Sequence, residues 1–103
     1  MTDKELTEMA ARAAGHDIEW QAAGWAHDNN TGREWNPLCD NGDAFELAVK
    51  LKLSVWFEKR ENHKWTHIVW VSPVFEPYIG DVNAATRRAI VRSAAAMAER
   101  NAQ

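Results

Sequence analysis

The chain has 103 residues, 46% of them apolar and 26% charged, with a formal net charge of −3. That length holds one domain with a modest core, and the apolar fraction excludes a disordered tail. The acidic balance excludes a general nucleic-acid binder, which carries a basic excess, and leaves room only for local basic faces.

Six tryptophans are many for this length, so large aromatic surfaces must be buried or used. Cys39 is the only cysteine, which excludes an internal disulfide and suits an intracellular protein. The start, MTDKE, has neither the basic nor the apolar region of a signal peptide. No window approaches 18 continuous apolar residues, so no membrane span is expected.

Thr2 and Glu5 form a capping box, and Leu6, Met9, Ala10 and Ala13 follow at helical spacing. Gly15 supplies a left-handed stop, so the pattern predicts a helix over 3–14. Ile18 and Trp20, two apart, predict a short strand or extended edge within 16–25. HDNNTGRE, residues 27–34, is dense in turn formers and reads as a loop.

The stretch REWNPLCDNGDAFELAVKL, residues 33–51, is the most distinctive. It reads as a catalytic loop or as a join between two elements. Pro37 biases Asn36 away from helix, Asp40 or Asn41 can cap a helix, and Asp43 suits the first turn. Ala44, Leu47, Ala48 and Leu51 make one apolar face, widened by Phe45 and Val49. A helix over 42–52 is predicted, with Trp35 clamping the preceding loop to the core.

LSVWFEKR (53–60) and KWTHIVWVSP (64–73) are rich in aromatic and β-branched residues and read as a hairpin turning at Glu61-Asn62. A symmetric hairpin pairs Lys59 with Lys64. It puts Leu53, Val55, Phe57, Thr66, Ile68 and Trp70 on a core face. Ser54, Trp56, Glu58, Trp65, His67, Val69 and Val71 fall on the other. VFEPYIGD (74–81) is a connection with a short edge strand. Asp81 or Asn83 then caps a helix over 83–101, whose small residues allow close approach to the sheet and whose Arg87, Arg88, Arg92 and Arg100 face solvent. The whole is α+β: a small antiparallel sheet, centred on the Trp-rich hairpin, packed with three helices as an α/β sandwich.

This order carries a resemblance. Trp35-Asn36-Pro37 leads through Asn41-Gly42-Asp43-Ala44 to a helix ending Leu-Ala-Val-Lys-Leu. A Trp-rich hairpin follows, and the chain closes on ATRRAIVRSA, residues 85–94. It resembles the small bacteriophage proteins grouped as the phage ABA-sandwich domain, and more distantly the short phage proteins of the NinX type. The resemblance spans nearly the whole chain. It implies a phage or prophage origin, the host cytoplasm and an α/β sandwich. It implies no activity and no site residues.

The chemistry-bearing residues each have a structural alternative. His63 and His67 form H-x3-H, a zinc spacing on a helix. On a strand, four residues span about 13 Å, too far for one ion, so neither a metal nor another cofactor is expected. Cys39 has no evident base beside it and reads as a buried or structural thiol. Asp40, Asp43 and Glu46 could pair for acid–base work, but capping already accounts for the first two, which favours the join over the catalytic loop. Gly80, Asn83, Thr86, Arg87 and Arg88 offer an anion site at the last helix's start.

The hairpin's outer face, with Trp56, Glu58, Trp65 and His67, is a large apolar patch that the chain either covers or uses. A helix or the 16–35 segment would cover it. Otherwise it is a surface for a homodimer or for a host or phage protein, Trp being enriched at interface centres. Nucleobase stacking there lacks interleaved cations. The leading expectation is a non-enzymatic accessory protein working by protein contact or self-assembly through that face. The second is a small anionic-ligand binder, nucleotide-like, using Asn83, Thr86, Arg87 and Arg88, with Trp25 or Trp35 stacking. A small hydrolase comes third.

Overall fold

The computed structural model describes residues 1–60 and 67–101. Helix α1 (Asp3–Ala14) starts as its capping box dictates. Thr2 Oγ1 accepts the Glu5 backbone N–H, and Glu5 Oε1 accepts that of Thr2, each at 3.1 Å. It stops at Gly15, whose φ of 76° is left-handed. Its buried stripe is Leu6, Thr7, Ala10, Ala11 and Ala14.

Three short strands follow: β1 (Ile18–Trp20), β2 (Ala26–Asp28) and β3 (Arg33–Glu34), an antiparallel sheet in that order. The turn formers expected to make a plain loop over 27–34 instead make the turn between β2 and β3. Gly32 sits at φ 75° and its N–H reaches the Asp28 carbonyl at 2.8 Å. Turn chemistry marks the centre of a hairpin, and its arms were too short to show a period of two.

Helix α2 (Asn41–Leu51) is capped by Asp40, which accepts the Asp43 N–H at 2.8 Å. Asp40→Ala should cost about 1 kcal/mol, read by thermal or urea unfolding. The helix ends at Lys52, which is left-handed at φ 56°. Ala44, Leu47 and Ala48 are buried, but Phe45 and Val49 are not core: they are 68% and 59% exposed.

The second antiparallel sheet is β4 (Trp56–Lys59), β5 (His67–Val71) and β6 (Val74–Pro77), with β5 central. Its register differs from the symmetric hairpin. Lys59 pairs with His67, and Trp56 pairs with Trp70, not with His67. The offset is three residues, and an odd offset swaps the faces of one strand relative to the other. Val69 and Val71, expected outside, are fully buried. Trp70, expected in the core, is half-buried on the outer side, and Phe57, opposite Val69 on the inner side, is exposed. The reason is that β5, reading His-Ile-Val-Trp-Val, is apolar on both faces and cannot choose between them. The expected turn at Glu61-Asn62 lies outside the described residues.

Helix α3 (Val82–Asn101) is central, packing on α1, α2, β5 and β6. Asp81 caps it by accepting the Ala84 N–H at 2.9 Å. Ala89, Ser93, Ala94, Ala95 and Ala98 are buried, and such small side chains let α3 approach the sheet and α1 closely. Three of its arginines do not simply face solvent. Arg88 and Arg92 converge on Glu76 of β6 at 3.5 and 3.1 Å, and Arg88 also reaches Asp3. Arg87 Nε donates to the Leu38 carbonyl at 2.8 Å. The fold is α+β: three helices and two small antiparallel sheets packed against them. No helix among the described residues is long and apolar enough to cross a membrane.

Candidate functional site

The face of β4–β5–β6 turned away from α3 carries one row of aromatic rings across all three strands. Trp56 stacks on Trp70, with ring planes 6° apart and centroids at 5.9 Å. Phe75 lies against Trp70 at 5.1 Å. The backbone register places these three opposite one another. Such pairs add to plain burial, yet Trp56 remains 45% and Phe75 38% exposed. The next row holds Glu58, Ile68 and Pro77. Glu58 accepts Trp70 Nε1–H at 2.7 Å and Arg60 Nε–H at 2.9 Å, so this face's carboxylate is neutralised in place.

Of the interaction residues expected from sequence, Trp56 and Glu58 are on this face. His67 is not: it faces the other way, its ring 5.7 Å from Tyr78. Trp65 lies outside the described residues, as does His63 of the H-x3-H pair. Trp70 and Phe75 were missed. The signal for them was the tight link Ser72-Pro73 between two apolar runs. It pairs Val71 with Val74 and hence Trp70 with Phe75. The 16–35 segment does not cover the face. Its sheet leans on α1, where Trp20 Nε1–H donates to Glu8 at 2.9 Å.

The expected anion residues separate. Asn83, Thr86 and Arg87 line a groove of about 520 Å³ between α2 and α3. Arg88 is held away from it by Asp3 and Glu76. Thr86 Oγ1 donates to the Val82 carbonyl at 2.7 Å, and the Asp81 carboxylate already occupies the helix cap. A phosphate at the helix start would therefore meet a negative charge. Trp25 and Trp35 are elsewhere, in a second cavity of about 310 Å³ with Trp20, Lys4 and Cys39. They cannot stack on a ligand held by Arg87 in the first.

The stretch 33–51 is a join. Trp35 is buried, donates its backbone N–H to the Ala26 carbonyl at 2.9 Å, and its ring centroid lies 4.7 Å from that of His16. Asp43 accepts the Asn36 N–H at 2.8 Å. Burial, with Asp40 and Glu46 nearby, raises the Asp43 carboxyl above its usual range, against the pull of that bond and of Arg33. Asp40 and Asp43 are thus both engaged with backbone, and Glu46 is exposed. Cys39, read as a buried or structural thiol, is exposed. Among the described residues, no group of three His, Cys, Asp or Glu is placed to hold a metal ion.

Comparison with protein-family models, with curated proteins and with solved structures finds no match. The likeness to the phage families rests on the sequence motifs alone.

Proposed function

We propose that this protein is a non-enzymatic phage accessory protein of the host cytoplasm. It acts by protein contact, and the aromatic face of β4–β5–β6 joins two copies of the chain. The phage setting is supported by the motif resemblance. The contact surface is supported by one observation above all: the Trp56–Trp70–Phe75 row lies half in solvent on a sheet whose other side is filled by α3.

A second copy is the favoured partner for an electrostatic reason. A twofold contact brings identical groups together, so an unneutralised charge in the patch would repel its own image. Glu58 carries the patch's negative charge, and Arg60 and Trp70 already satisfy it. Three rings make a small interface, well below the roughly 800 Å² per partner of standard complexes. The association is therefore weak and concentration-dependent.

The test is solution mass by light scattering over a wide concentration range. Wild type should move from monomer toward dimer. Trp56→Ala should weaken the dimer by about 2 kcal/mol, or roughly thirtyfold in Kd, with unchanged helical circular dichroism. A wild-type monomer up to millimolar concentration would sink self-association and redirect the search to a host or phage protein.

A further inference from the structure

The groove between α2 and α3 is a separate surface from the aromatic sheet face. Its walls are apolar: Phe45, Ala48 and Val49 of α2, Leu53 and Val55 beyond it, and Ile90 of α3. Phe45 and Val49 stand four residues apart, on one side of α2. Both are more than half exposed, although large apolar side chains in solvent oppose solubility. Their placement makes sense as the wall of a site that is filled in use.

The charged lining has one sign. Arg87 and Lys52 line the groove, and no carboxylate among the described residues does. The other two arginines of this part of α3, Arg88 and Arg92, are neutralised by Asp3 and Glu76. Arg87 differs. Its partners among the described residues are neutral acceptors, the Leu38 carbonyl at 2.8 Å and Asn41 Oδ1 at 2.6 Å. These two bonds hold the guanidinium rigidly and leave its charge uncompensated. Two of its five N–H groups are so engaged, and the fork geometry suits a carboxylate on those that remain.

We propose that this groove binds a small organic anion with an apolar body, its carboxylate on Arg87 beside Asn83 and its hydrocarbon along Phe45, Val49 and Ile90. The cavity volume of about 520 Å³ is that of a small-molecule site. A nucleotide fits less well. The Asp81 carboxylate at the start of α3 repels a multiply charged phosphate chain, and the tryptophans that could stack a base line the other cavity.

Octanoate and 1-octanol share a chain and differ in charge, which makes them the probes. Backbone amide chemical shifts of the whole chain are followed as each is titrated. Octanoate should shift amides in 41–55 and 83–90 and bind about tenfold more tightly than octanol, as expected for one charge-assisted bond. Arg87→Met should bring octanoate down to the affinity of octanol and leave octanol unchanged. Arg87 also holds the 38–41 turn, so that variant can lose structure. Val49→Glu, at an exposed helical position, keeps the test decisive by placing a negative charge in the wall and weakening octanoate about tenfold. Equal affinity for the two probes overturns the proposal. So do shifts centred on Trp56 and Trp70, no saturable binding of octanoate, or dilution-dependent shifts within 41–55 and 83–90, which would mean that a second copy fills the groove.

Discussion

Leu47→Ala should lower the free energy of unfolding by about 3–4 kcal/mol. Leu47 is only 1% exposed and sits between Ala44 and Ala48 on the face by which α2 packs on α3. Deleting an isobutyl group loses its transfer free energy and leaves a void. Much of the buried surface nearby is alanine, on α2 itself and at Ala89, Ala94 and Ala95 of α3. Alanines have no side chain that can swing in to fill the hole, so the cost should stay clear of the low end of the range for such changes. Urea unfolding followed by circular dichroism measures it. A loss below about 1.5 kcal/mol would mean that α2 settles onto α3 without this side chain.

Asp28→Ala should cost about 3 kcal/mol, although Asp28 is a polar residue in a short strand. Its carboxylate is 1% exposed. One oxygen accepts the Asn30 N–H at 2.9 Å and the other lies 2.9 Å from His16 Nδ1. An ionised carboxylate only accepts, so Nδ1 must carry the hydrogen. His16 in turn covers the Trp35 ring. Alanine would leave those donors unmet and loosen the β2–β3 turn together with the Trp35 clamp. Burial pushes the Asp28 carboxyl up. The Asn30 bond, His16 and the Thr31 N–H outweigh it, and the net shift is downward.

The sign follows from linkage. A carboxyl whose folded-state value is depressed adds stability above its unfolded value, close to 3.8. That stability is lost as pH falls through the folded value. The stability gap between wild type and Asp28→Ala should therefore narrow as pH falls below about 4. Asp43, shifted the opposite way, and Glu5, lowered by its capping bonds to Thr2, are present in both proteins and cancel in the difference. A gap that does not narrow in acid would assign the loss to packing and not to the charge.

These two residues also mark what was legible. The weight of Leu47 could be read from spacing, because Ala44, Leu47 and Ala48 recur at helical intervals behind a capping aspartate. Asp28 could not. It stands in a run of turn formers, and its importance comes from His16, twelve residues earlier, being brought against it by the return of the chain after α1. The aromatic site was half legible. Trp56 and Glu58 share one face, as expected, while the partners assigned to them were wrong. The anion residues were likewise divided, Arg87 going to the groove and Arg88 to Glu76.

By itself the sequence determined the α+β class, the three helices with the cap of the first and two candidates for each of the others, and the presence of a Trp-rich pair of strands. Caps, stops and helical periodicity act within a few residues, so local chemistry decides them. Only the tertiary structure decided the pairing of Trp56 with Trp70, the burial of Val69 and Val71, the exposure of Phe45 and Val49, and the partner of each arginine. A strand that is apolar on both faces is oriented by what packs on it. Here that is α3, whose row of small side chains accepts Val69 and Val71 and leaves the tryptophans on the other side.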